Sequence, residues 1–243
     1  MPRVQRGSER WRAVSGDSAS TEAGFDAQRL IRPAGDRAFL VTASIPGIVT
    51  ALRARAIVGV RDVLPAAETV LVTLDSVDDA QRVRDELETL LRRVHSGPGG
   101  DVRGTARAGE SFESAGEPVL IEVHYDGADL AEVARLLDMS VSQVVAAHTG
   151  TVWHCGFIGF APGFGYLESP DGRLNVPRRE QARTVIPAGA VALAGGYSAV
   201  YPRGTPGGWR LIGHTEAPLW DIDRDPPALI RAGTAVRFIE VAR

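Results

Sequence analysis

The sequence predicts an α+β protein: a small N-terminal α/β sandwich domain followed by an all-β barrel or sandwich. Three observations predict it. From Gln28 to Val94, strand-like alternation is interleaved with two helical stripes. Beyond His148 the chain breaks into short apolar runs, each ended by Gly or Pro, the texture of a closed or stacked antiparallel sheet. Between these halves lies HSGPGGDVRGTARAGESFESAGEP, whose Gly, Ser and charge content is that of a linker. The expected organisation is a polar tail at 1–24, a sandwich domain at 25–95, a linker at 96–117 and the barrel domain at 118–243.

Taken in order, QRLIRPAGDRAFLVTA reads as two short strands around a Pro-Ala-Gly-Asp turn. IPGIVTALRARAIV then places Ile45, Ile48, Val49, Leu52 and Ala56 on one helical stripe. VRDVLPAAETVLVTLD supplies strands at 60–64 and 69–74. The clearest helix is SVDDAQRVRDELETLLRRV. Ser76 is its expected cap, Asp78 and Asp79 suit the positive end of the dipole, and Arg92 and Arg93 suit the negative end. Val83, Leu87, Leu90, Leu91 and Val94 form its buried face. After the linker, VLIEVHY is a strand and DGADLAEVARLLDMS a helix capped by Asp126 or Asp129. SVSQVVAAHTG is a second helix, capped by Ser140, with Val141, Val144 and Val145 turned inward.

Composition narrows the function. With 27 basic and 30 acidic residues, the net charge of -3 offers no general attraction to nucleic acid or anionic lipid. One cysteine, Cys155, gives no disulfide framework. The start has no apolar core of a secretory signal and no run is long enough to span a bilayer, so a cytoplasmic location is expected. Neither C-x-x-C, H-E-x-x-H nor a P-loop occurs, so no metal ligand set is assigned.

Three segments could carry chemistry. GFIGFAPGFGYL (156–167) mixes glycine with Phe164 and Tyr166, which either wall a pocket or fill the core. NVPRREQARTVIPAGAVALAGG (175–196) holds Arg178, Arg179 and Arg183. Guanidinium forks match carboxylate or phosphate, although two of these three are expected simply to be solvated. YSAVYPRGTPGGWRLIGHT (197–215) sets Tyr201 and Trp209 beside tight turns. His148 follows a helical face, where a structural histidine is commoner than a base. His154 and Cys155 are neighbours on a strand, so their side chains point to opposite faces and form no Cys–His pair.

These segments, in this order, resemble the KipI / allophanate hydrolase subunit 1 family, the carboxyltransferase-domain family that includes the B subunit of prokaryotic 5-oxoprolinase. GFIGFAPGFGYL, NVPRRE, VIPAGAVALAGG, YPRGTPGGWRLIGHT, HTG at 148–150 and PPALIRAGTAVRF at 226–238 carry the likeness; PAGDRAFLV and VLPAAETVLVTLD match more weakly. The resemblance implies a cyclophilin-like β-barrel and a role as a non-autonomous subunit. It implies partner subunits C and A, with ATP bound at or with a partner, opening 5-oxo-L-proline to L-glutamate. On the matched motifs, substrate binding is expected of Phe164, Tyr166, Arg178, Arg183, Tyr201, Trp209 and His148, with no catalytic residue assigned. A KipI-like inhibitor of a sensor histidine kinase is the alternative. Ala182, Ala190 and His214 depart from the family pattern, which bears on substrate identity rather than on fold.

Overall fold

TVLVTL alternates side chains across a pleat, and Val70, Val72 and Leu74 all fall on one buried face. This segment is strand β4 (Thr69–Leu74) of the N-terminal unit. The computed structural model describes residues 26–42, 48–96 and 117–242. The expected tail, Ile45 of the first helical stripe and linker residues 97–116 lie outside them.

In the first unit, β1 (Ile31–Pro33), β2 (Ala38–Thr42), β3 (Val60–Pro65) and β4 form an antiparallel sheet in the order β1-β2-β4-β3. One helical turn, α1 (Ala27–Leu30), precedes β1 where the alternation suggested only strand, because the Asp26 side chain accepts the Gln28 N–H and caps it. Helix α2 (Ile48–Arg55) buries Ile48 and Leu52. Ala56, expected on the same stripe, instead follows the helix with φ of 44° and is exposed. Ser76 caps a short 3₁₀ turn, Val77–Asp79, that leads directly into α3 (Ala80–Ser96). Val83, Leu87, Leu90 and Leu91 of α3 pack on Phe39, Val41, Val70, Val72 and Leu74, giving this unit its own core.

The second unit is a seven-stranded sheet in the order β12-β9-β10-β7-β6-β13-β5. Its strands are β5 (Val119–Val123), β6 (Trp153–Ile158), β7 (Gly165–Glu168), β9 (Ala190–Ala194), β10 (Tyr197–Val200), β12 (Arg210–His214) and β13 (Ala235–Glu240). The sheet curls until its two ends meet. His124, just past β5, exchanges both backbone hydrogen bonds with His214 of β12, at 2.9 Å each. Helices α4 (Leu130–Leu136) and α5 (Val141–Gly150) press Val133, Ala134, Val144 and Val145 into the barrel interior. Ser140 and Gln143 form a reciprocal capping box at the start of α5. Val141, expected inward, is 43% exposed because it occupies the first helical turn on the outer side.

A two-stranded ribbon, β8 (Arg183–Ile186) with β11 (Thr205–Gly207), lies outside the barrel. It explains why every residue of β9 is buried. Val191 and Leu193 point into the barrel, whereas Ala190, Ala192 and Ala194 point out beneath a second apolar layer. The α+β architecture with a barrel-like second unit is the class the sequence predicted.

Candidate functional site: an aromatic layer and a guanidinium network

Outward-facing alanines leave room for rings. On Ala190, Ala192, Ala194 and Ala199 sits a cluster containing Phe164, Tyr201, Trp209, Ile186 and Leu211, with Tyr166 and Tyr197 at its margin. The rings meet mostly edge to face, the preferred arrangement for aromatic quadrupoles. Phe164 lies 5.6 Å from Trp209 and 5.2 Å from Tyr201, and Tyr166 lies 5.7 Å from Trp209. Phe164, Tyr201 and Trp209 are nearly fully buried, so they form the floor of this surface rather than its open wall. Tyr166 is half-buried and Arg178 exposed, the latter with its guanidinium 6.0 Å above the indole of Trp209. Burial raises the Tyr201 phenol to about 12, while the Arg178 and Arg183 charges pull it back. Its hydroxyl makes no hydrogen bond among the described residues.

Beside this layer a buried carboxylate organises two of the three arginines. Asp129, just before α4, is 3% exposed. Its Oδ1 accepts Arg183 Nη2 at 2.7 Å and Arg179 Nη1 at 2.8 Å, and its Oδ2 accepts the Leu211 N–H at 2.7 Å. Burial pushes the carboxyl upward, but the bonds from Arg183 and Leu211 and the charges of Arg183 and Arg179 outweigh it and hold Asp129 below the usual carboxylate range. Glu132, one turn along α4, takes Arg210 at 2.7 Å and lies 3.6 Å from Arg179, and Arg210 Nε also donates to the Pro177 carbonyl at 2.9 Å. Two carboxylates thus face three guanidiniums, an excess of one positive charge. The expectation that two of the three clustered arginines are merely solvated is corrected: Arg179 and Arg183 are bound to Asp129, and Arg178 is the exposed one.

The three sequence segments therefore converge. Phe164, Tyr166, Tyr201, Trp209 and Arg178 share one surface, and Arg183 joins it through Asp129 and Leu211. His148 does not. It is fully buried in the barrel, with Nδ1 2.7 Å from the Tyr125 hydroxyl and Nε2 2.8 Å from Ser198 Oγ, and its ring stacks on Phe238 at 4.3 Å. Burial drives its pKa down to about 3. A ring enclosed in this way is a core hydrogen-bonding element, so His148 is withdrawn from the surface where it was expected. Cys155 is likewise enclosed, its thiol pushed up to about 12 by burial and the nearby Glu168 charge.

Asp129 and Glu132 were missed as site residues by sequence reasoning, and Arg210, in the same segment as Tyr201 and Trp209, was given no role there. Asp129 reads as a helix cap, yet its side chain makes no cap hydrogen bond. Its partners are 50 to 82 residues away, and no local spacing announces them. No helix among the described residues is long and apolar enough to cross a membrane.

The fold is thus a barrel beside a small α/β unit, carrying an external aromatic floor edged by guanidiniums, and its class is that of the carboxyltransferase domains. Residues 29–230 match the family described as Carboxyltransferase domain, subdomain C and D, and the chain belongs to that family. Among characterised relatives, it is 45% identical over 133 residues to the 5-oxoprolinase B subunit of Escherichia coli O157:H7. That match takes in 54% of this chain and 61% of the relative. The 5-oxoprolinase B subunit of Bacillus subtilis (strain 168) is 40% identical over 140 residues, 56% of this chain and 58% of the relative. The chain thus spans about three fifths of these relatives' length. Among solved structures, TTHA0988 superposes with TM-score 0.60 at 31% identity, over 85% of this chain and 41% of that longer one. The urea carboxylase of Kluyveromyces lactis shares the fold, with TM-score 0.61 at 16% identity over 87% of this chain and 22% of that one.

Proposed function

We propose that this chain is the B subunit of an ATP-dependent 5-oxoprolinase, working with subunits C and A to open 5-oxo-L-proline to L-glutamate. The observation that carries the reading is the exposed Arg178 guanidinium over Trp209, beside the unbonded Tyr201 hydroxyl, in a chain similar to proteins named as 5-oxoprolinase B subunits. The substrate is a flat five-membered lactam bearing a carboxylate. Arg178 offers a cation for that carboxylate, and the half-buried Tyr166, 5.7 Å from Trp209, adds an aromatic edge for the ring. Tyr201 stays protonated near neutral pH, so its hydroxyl is a donor for a lactam oxygen as charge develops there.

A lactam amide is a weak electrophile, and ATP supplies the phosphoryl group that activates its oxygen. Arg179, Arg183 and Arg210 are committed to Asp129 and Glu132, which leaves Arg178 as the exposed cation of the cluster. This favours a nucleotide site at or with a partner subunit. The names of the relatives do not favour the kinase-inhibitor alternative.

The test is reconstitution of the chain with subunits C and A, reading 5-oxoproline-dependent ATP hydrolysis and glutamate release. Arg178→Ala in that complex is expected to lower kcat/KM by about tenfold to a hundredfold, the loss of one charge-assisted contact. A complete, folded complex without turnover would reject the reading.

A further inference from the structure

Two loops on the barrel display large apolar side chains to solvent. Phe160 is 57% exposed, Trp220 46% and Ile222 80%. Single exposed apolar residues are ordinary. Here, however, the loops carrying them are in contact: a Cβ on Gly163 would lie 3.0 Å from both the Leu219 carbonyl oxygen and Trp220 Cβ, so glycine permits the approach.

Both loops are rigidly built. Trp220 pairs with Ala228 in an isolated antiparallel bridge, flanked by Asp221 N–H to Pro227 O at 3.0 Å and Leu229 N–H to Leu219 O at 3.0 Å. Arg224 fills the enclosed turn. It donates to the carbonyls of Pro227 at 2.7 Å, Pro218 at 3.1 Å, and Leu219 and Pro226 at 3.4 Å. On the other loop Phe160 holds φ of 66°, a left-handed conformation that a bulky L-residue adopts only at a cost. Its ring meets Phe164 at 5.1 Å and Tyr201 at 6.1 Å edge to face, so one side rests on the aromatic layer while more than half of its surface is left to solvent.

Charge around these residues is one-sided. Glu216, Asp221, Asp223 and Asp225 are all exposed, and the one cation among them, Arg224, is turned inward onto carbonyls. The result is a pair of touching loops on which exposed apolar side chains alternate along the chain with exposed carboxylates, held in place before anything binds. That combination suits a protein partner with an apolar cleft edged by lysine or arginine. Relatives are named as B subunits, and in TTHA0988 the matching region is 41% of a longer chain, so additional protein accompanies this domain there.

We infer that the Phe160 and Trp220–Ile222 loops are the docking surface for a partner protein that presents a basic-rimmed apolar cleft. This rests on the functional reading above. The experiment measures the affinity of the purified full-length chain for subunits C and A by calorimetry and light scattering, with melting temperature as the folding control. Trp220→Ala and Ile222→Asp are each expected to weaken one of these associations by about thirtyfold, the loss typical of an interface anchor, with melting unchanged. Neutralising Asp221, Asp223 and Asp225 to Asn is expected to flatten its salt dependence. If the wild-type chain binds neither of them, the functional reading falls and the docking surface with it. If wild type and both apolar variants bind equally well, the docking surface alone is wrong. Loss of self-association instead, seen as a wild-type dimer that the variants break, also overturns it.

Discussion

His148 allows a quantitative check on the barrel interior. Its folded pKa is about 3, because burial of this α5 side chain against Phe238 and Trp153 disfavours the imidazolium. In the unfolded chain the ring returns to about 6.5. The unfolded state therefore takes a proton that the folded state refuses. Stability from this residue is complete above pH ~6.5 and is lost as pH falls toward about 3. Between pH 7.5 and pH 5 the loss is about 2 kcal/mol. Urea unfolding at both pH values, for wild type and His148→Gln, isolates it. The variant loses its partners' geometry and starts less stable, but it has nothing to protonate at this position, so its decline is shallower by about 2 kcal/mol. Parallel declines in the two proteins would refute the claim that this imidazole is neutral and enclosed.

Asp129→Asn strips the charge from the carboxylate that anchors Arg179 and Arg183. A loss of about 3 kcal/mol is expected by chemical denaturation, and a loss under 1 kcal/mol would demote the network to surface decoration. Its carboxyl is held low, so that contribution persists above the unfolded value near pH ~4 and disappears only as pH falls through the folded one. Gly189 has φ of 77°, and a Cβ there would meet the Thr215 carbonyl oxygen at 2.2 Å, so Gly189→Ala should cost about 2–4 kcal/mol and shift the melting curve. Cys155 should resist a thiol reagent in the native protein at pH 8 and react on unfolding, and rapid native labelling would contradict its burial.

Much of the molecule was legible along the chain because its signals are local. The α3 stripe, the Ser140 cap, the two strands around Pro65 and the Gly/Pro rhythm beyond His148 all express short-range periodicity or capping, which needs no knowledge of the fold. Ala56 and Val141 misled for the same reason: a stripe extrapolated past a helix end says nothing about where the helix stops or which turn faces water. The alanines of β9 were legible as strand but not as the bed for three aromatic rings.

The order of aromatic, arginine and glycine motifs along the chain established the family and placed Phe164, Tyr166, Arg178, Tyr201 and Trp209 among the residues of interest. Only the closed barrel decided that Arg179 and Arg183 are held by Asp129, that Arg178 is the most exposed of the three, and that His148 belongs to the interior. Hydrogen bonds and ion pairs act over a few ångströms of space, and 50 to 82 residues of chain separate these partners until the sheet curls shut.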